Sequence, residues 1–208
     1  MNSEEKDTHI LIVGVGGQGV IRASQILAWA ALREGMNVRA AETHGMAQRG
    51  GSVVCYLNVG KNVEGPLFPR GTADIILSFE EVESIRSADY ANQDTMFLIA
   101  NTKQIPVGVL MNRKLSYPSR EEIENSLKKV SKNVFFFDAL DIAMRSGDAR
   151  TANTVMLAFL LATNKLNIKK ETLIETIKEF VPEKSVDANL KAFDLAFQCA
   201  TDIYACNQ

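Results

Sequence analysis

The sequence predicts an α/β protein with a Rossmann-like, largely parallel sheet, helices on both faces and a helical carboxyl-terminal third. Three observations carry that reading. A short apolar run ends in closely spaced glycines and leads into a helical pattern, the strand–turn–helix opening of a doubly wound sheet. Short runs of strand character then alternate with helical stretches as far as Phe137. Beyond Arg150 only helical patterns remain.

The first run, His9 to Val13, is apolar enough for a buried strand and too short for a helix. It is followed by G-V-G-G-Q-G (Gly14 to Gly19) and by a helix over Val20 to Arg33, where Ile21, Ser24, Gln25, Ala28, Ala31 and Leu32 fall at helical spacing. Gly14 is expected to let the chain turn, Gly16 to let the backbone approach a ligand, and Gly19 to let helix and strand pack closely. Unpaired N–H groups at the helix start favour an anion. Gly14, Gly16, Gly17, Gln18 and Gly19 are therefore the candidate residues for a phosphate-type ligand. The competing reading is that the glycines only permit close packing.

A second strand, Met36 to Ala41, ends at Glu42, near the place of the acid that binds an adenosine ribose in a dinucleotide domain. A helix should follow. Instead comes T-H-G-M-A-Q-R-G-G, with three glycines within seven residues, at roughly 1 kcal/mol lost per interior glycine of a helix. Ser52 to Val59 then reads as a strand. The connection is thus a polar, glycine-rich loop at the carboxyl end of the sheet, the edge where open α/β sheets bind ligands. It concentrates Glu42, Thr43, His44, Gln48, Arg49 and Ser52. Arg49 has the geometry to clamp a phosphate or carboxylate. Alternatively Glu42 and Arg49 pair to brace the loop while His44 caps a carbonyl, or the loop docks a protein partner.

The remaining elements follow in order. Asp74 to Phe79 reads as a strand, Glu80 to Tyr90 as a helix with acids in its first turn, and Thr95 to Ala100 as a strand. Pro106 to Leu110 is a short extended candidate. Ser119 opens a helix with a capping box to Glu122, and Asn133 to Phe137 is a strand ending at Asp138, for six or seven strands in all. Asp138 and Asp141 read either as an acidic ligand site or as helix capping. Arg150 to Asn164, Lys170 to Phe180 and Val186 to Cys206 are helices, the last two separated by Pro182. Arg150, Thr151 and Asn153 make a polar start to an apolar helix, either an anion or partner contact or plain capping. Leu190, Phe193, Ala196, Phe197 and Ala200 form a stripe on the last helix, either core or a partner-binding face.

Composition excludes several classes. With 208 residues, 46% of them apolar, the chain can bury a full core, and a net charge of −2 gives no general attraction to nucleic acid. The polar, acidic amino end is no signal peptide, and the apolar stretch Val155 to Ala162 is too short for a bilayer, so a cytoplasmic protein with no membrane contact is expected. Cys55, Cys199 and Cys206 are too few for a cubane cluster and have no nearby histidine for a zinc site, so no metal is assigned. Cys55 reads as a small buried hydrophobe.

The strings G-V-G-G-Q-G-V and E-T-H-G-M-A-Q-R-G-G-S-V resemble the gamma-type domain of the 2-oxoacid:ferredoxin oxidoreductases, in its small indolepyruvate-type form. Gly65 to Glu80 and Gly147 to Leu157 extend the resemblance over most of the chain. It implies a single gamma-type domain over residues 1–208, sheet-forming over about 8–140 and helical over about 141–208. It also implies an accessory subunit. A large alpha subunit would carry thiamine diphosphate, magnesium and [4Fe-4S] clusters, oxidatively decarboxylate indolepyruvate or another aryl pyruvate to its acyl-coenzyme A, and pass electrons to ferredoxin. The small chain would be inactive alone, bind no cofactor firmly, and shape the active-site entrance or the coenzyme A approach. Glu42, His44, Gln48, Arg49 and Asn153 are its candidate entrance or interface residues. A homodimer of the isolated chain stays open. The alternatives are a stand-alone NAD(P)-binding Rossmann-type oxidoreductase, a nucleotide-sensing or docking module, and the gamma subunit of another 2-oxoacid oxidoreductase.

If the loop acts at the entrance or interface, Arg49→Ala lowers assembly or turnover of the complex and leaves this chain folded. Normal assembly and turnover in that variant would remove the loop from the mechanism.

Overall fold

The computed structural model describes residues 7–44, 50–105 and 116–205. The extended candidate Pro106 to Leu110 lies outside them, as do Gln48, Arg49 and Cys206. Six strands form one sheet: β1 (Thr8–Val15), β2 (Asn37–His44), β3 (Ser52–Gly60), β4 (Ile75–Ser78), β5 (Met96–Ala100) and β6 (Asn133–Phe137), in the order β2-β3-β1-β4-β5-β6. The helices are α1 (Val20–Arg33), α2 (Glu81–Arg86), α3 (Arg120–Lys128), α4 (Ala139–Ser146), α5 (Ala152–Ala162), α6 (Lys170–Phe180) and α7 (Val186–Ala205).

β1, β4, β5 and β6 pair in parallel, whereas β3 runs antiparallel to both β1 and β2. The cause is the length of the β2–β3 link. Residues 45–51 are too few for a parallel crossover, which takes a dozen or more. The chain must therefore turn back, and β3 fills the place beside β1 that a dinucleotide fold gives to its second strand. Ile10 faces Leu57 and Val13 faces Val54 across that join.

Alternating side chains divide the core in two. Ile10 and Ile12 join Cys55, Leu57 and Leu77 under α1, α5, α6 and α7. Leu11 and Val13 join Ile76, Phe97 and Ile99 beneath α3 and the 61–74 segment, which contributes Phe68 and Ala73. His9, the other of the chain's two histidines beside His44, stacks on Phe68 with ring centroids 4.6 Å apart and meets the Thr72 carbonyl through Nδ1 at 3.0 Å. It pins that segment to the sheet.

Helix α5 lies at the centre of the larger core. Every residue from Asn153 to Ala162 is buried, as a helix apolar on all sides requires. Phe159 stacks on Phe137 of β6 at 3.6 Å. The stripe on α7 is a packing face: Phe193, Ala196 and Ala200 are buried, and the Lys170 ammonium lies 5.7 Å and 5.1 Å from the Phe193 and Phe197 ring centroids. On α1 the buried stripe is Val20, Ala23, Ser24, Ile26, Leu27, Ala30 and Ala31. Gln25 and Leu32 are exposed, so the expected face is rotated, because the alanines rather than the larger residues mark the contact.

The first and last described residues lie at the amino edge of the sheet. Asp7 accepts a hydrogen bond from the Asn62 amide at 3.2 Å, just past the end of β3. Tyr204 and Ala205 border a groove with Met96 and Asn133, the first residues of β5 and β6.

Phe159→Ala should lower stability by about 3–5 kcal/mol, because the central helix cannot collapse into the space. Chemical denaturation followed by circular dichroism measures it, and a loss below about 1 kcal/mol would mean that the ring is not packed as described.

Candidate functional site

The glycine turn begins as β1 ends. Gly14 is still inside β1, where a Cβ would come within 2.7 Å of Gln18 Oε1 and Val20 Cγ2 and 2.8 Å of Phe79 Cβ. Its service is close approach, not the turn expected of it. Gly17 and Gly19, with φ of 103° and 83°, turn the chain. Gly19 also caps α1, so it serves the turn rather than helix–strand packing. Gln18 folds inward: its Oε1 accepts the Val15 amide at 2.7 Å and its Nε2 donates to the Phe79 carbonyl at 3.2 Å. The side chain braces the turn while the backbone faces out.

That backbone borders a cavity of about 450 Å³ at the carboxyl edge of the sheet. The turn and Arg22 form one wall, Phe79 and Thr102 lie at the strand ends, and Ala149, Arg150, Ala152, Asn153 and Met156 face them. The amino termini of α1 and α5 both open here. The α1 start has no side-chain cap and no acid in its first turn, which leaves partial positive charge directed at the cavity, whereas at the α5 start the Ala152 amide donates to the Ala149 carbonyl and the Thr154 amide to Asn153 Oδ1. α4 is different, because Asp138 accepts the Asp141 amide at 2.8 Å and caps the helix, while the Asp141 carboxylate pairs with Arg145.

Two further groups favour an anion. Asn153 is 8% exposed; its Oδ1 accepts the Thr154 amide at 2.9 Å, and its carboxamide lies 3.4 Å from where a Cβ on Gly19 would stand. Arg150 is held as a fork by Asp148, with Nε at 2.9 Å from Oδ1 and Nη2 at 2.6 Å from Oδ2. The hydrogen bond from Arg150 holds the Asp148 carboxyl down to about 2. No acid is among the described residues that line the cavity. With Phe79, Leu140 and Met156 as an apolar wall, the space suits a ligand that joins an anionic group to an apolar one.

The expected residues divide into two groups. Gly17, Gln18, Gly19 and Asn153 meet at the cavity. Glu42 and His44 lie on β2, with β3 between them and β1, about 9–10 Å in strand spacings from the turn-bearing strand. Glu42 is therefore not where a ribose acid would be. It sits opposite Cys55, whose thiol burial, and then the Glu42 charge, push up to about 12. The loop nonetheless roots beside the turn, because the Gly16 amide donates to the Gly51 carbonyl at 2.9 Å. Sequence reasoning missed Arg22, Phe79, Thr102 and Leu140, which come from four separate stretches of the chain. Among the described residues no three His, Cys, Asp or Glu side chains come together as a metal set.

Comparison with known proteins extends these observations. The family described as pyruvate ferredoxin/flavodoxin oxidoreductase matches residues 9–199. The chain is 40% identical to indolepyruvate oxidoreductase subunit IorB of Pyrococcus horikoshii, over 95% of this chain and 98% of the relative. It is 28% identical to ketoisovalerate oxidoreductase subunit VorA of Methanothermobacter thermautotrophicus, over 96% of this chain but 38% of that one. Among solved structures, the pyruvate oxidoreductase subunit PORC of Thermotoga maritima superposes with a TM-score of 0.68 at 24% identity, covering 93% of this chain and 97% of that one. The 2-oxoglutarate:ferredoxin oxidoreductase of Magnetococcus marinus, with 2-oxoglutarate, coenzyme A and succinyl-CoA bound, gives 0.72 at 21% identity over 96% of this chain and 32% of that one. These likenesses bear out the α/β fold.

A pH titration tests the Asp148–Arg150 fork. The folded value is depressed from 3.8 to about 2, so the pair's contribution is complete above the unfolded value and is lost as pH falls through the folded one. The Asp148 carboxyl carbon should titrate by NMR near 2, and Arg150→Ala should return it toward 3.8. A midpoint near 3.8 in the unaltered chain would mean that the fork does not persist in solution.

Proposed function

We propose, since this chain belongs to the pyruvate ferredoxin/flavodoxin oxidoreductase family, that it is the small accessory subunit of an indolepyruvate-type oxidoreductase, inactive alone. The observation that carries this reading is 40% identity over 95% of the chain to an indolepyruvate oxidoreductase subunit of nearly the same length. On this reading the large partner holds thiamine diphosphate, magnesium and the iron–sulfur clusters, and ferredoxin takes the electrons. Two of the relatives, in which this chain matches only 38% and 32% of the length, support a larger assembly.

The cavity's part in that assembly is to hold the phosphate-bearing portion of coenzyme A. The uncapped amides of α1 would meet the phosphate oxygens, the Asn153 carboxamide would donate beside them, and Arg22 and Arg150 would supply charge. Phe79, Leu140 and Met156 would border the apolar arm. Glu42 and His44, with Gln48 and Arg49 of the loop, would lie toward the partner. The chain would act as one domain. NAD binding is disfavoured by β3, which occupies the position that the ribose-binding strand would take.

Anaerobic affinity purification of the tagged chain from its own cells tests the assembly. A large brown partner should co-elute, and the eluate should reduce a viologen dye with indolepyruvate only when coenzyme A is present. A lone colourless protein that binds NAD(H) with micromolar affinity would overturn the reading.

A further inference from the structure

Three acids stand within four residues at the start of α2, and all are withdrawn from solvent: Glu80 is 1% exposed, Glu81 2% and Glu83 3%. Buried carboxylates need hydrogen bonds or counter-charges, and each of these finds them in a different part of the carboxyl edge. Glu80 Oε2 accepts the Val82 and Glu83 amides at 2.7 Å and 3.0 Å, capping α2. Its Oε1 accepts the Gln104 amide at 3.0 Å and the Tyr117 hydroxyl at 2.5 Å. Burial, and then that bond, raise the Tyr117 phenol and keep it a donor. Glu81 Oε1 meets Arg120 at 3.2 Å, while the Glu81 amide donates to the carbonyl of Thr102, a cavity residue, at 3.0 Å.

Glu83 reaches furthest. Its Oε2 accepts the Ser52 hydroxyl at 2.5 Å and its Oε1 accepts Arg86 at 2.6 Å. Ser52 follows Gly51, whose carbonyl accepts the Gly16 amide at 2.9 Å. A continuous chain of bonds therefore runs from Glu83 through the root of the hairpin to the glycine turn. Capping a six-residue helix takes one acid, and Glu80 already supplies it. Two more buried carboxylates carry a desolvation cost that capping does not explain.

We propose that Glu83 is a positioning residue for the cavity, acting through Ser52 and Gly51 to hold the backbone of Gly16 to Gly19, with Glu80 and Glu81 steadying the strand ends opposite. This rests on the reading of the cavity as a coenzyme A site. The turn's donors are then set before the ligand arrives, so that little ordering is left to the binding step.

Glu83→Gln tests the link from one end and Ser52→Ala from the other, each in the full chain, with the double variant beside them. In either single variant the amides of Gly16 and Gln18, which are bonded to the Gly51 and Val15 carbonyls, should exchange with solvent about tenfold faster. The double variant should be no faster than the faster single, and β4 and β5 should be unchanged. In the assembled complex the KM for coenzyme A should rise while kcat is retained. Unchanged exchange at the turn in both single variants overturns the proposal. So does equally accelerated exchange in β4 and β5, which would signal a general loss of stability. If the unaltered complex binds no coenzyme A, the ligand reading falls, and the exchange comparison still decides the role of Glu83.

Discussion

Seven residues connect β2 to β3, and much of the molecule depends on how little chain that is. A helix cannot be packed into the gap, so β3 returns antiparallel and takes the position next to β1. Glu42 is thereby carried away from the glycine turn, and the hairpin's root is brought to it. The Gly16–Gly51 hydrogen bond joins the two. A strand order that rules out the ordinary dinucleotide arrangement thus places a different set of groups around the same turn.

What surrounds the turn is a site made mostly by backbone. Gln18 turns its side chain inward, the start of α1 carries no side-chain cap, and Asn153 supplies a buried carboxamide. The arginines are at the rim, Arg150 held by Asp148 and Arg22 donating to the Phe180 carbonyl. Such a site has little to rearrange, because groups carried on helices and strands are held more precisely than groups on loops.

Most of the sheet could be read from the sequence because its signals are local. Val20–Arg33 and Lys170–Phe180 match their helices to the residue, and the capping box at Ser119 forms with both of its bonds. The strand order could not be read, since nothing local says whether β3 pairs with β2 alone or also with β1. The face of α1 was misjudged for a related reason: Ala23, Ala30 and Ala31 are small, yet they make the contact. At the site, the glycines and Asn153 were visible as motifs. Thr102 and Leu140 were not, because only tertiary packing brings a strand end and a helix start to one cavity. The buried acids of α2 looked like ordinary first-turn charges, and burial alone distinguishes them.

The positions of the first and last described residues bear on how such a module can be built into larger proteins. Asp7 and Ala205 both lie at the amino edge of the sheet, across the molecule from the cavity. Sequence leading into Asp7 or on from Ala205 meets the fold on the side away from the carboxyl edge. A gene fusion therefore needs no long tether around the site, and the same unit can circulate in evolution as a separate polypeptide or as a segment of a longer one. The matched relatives include both kinds.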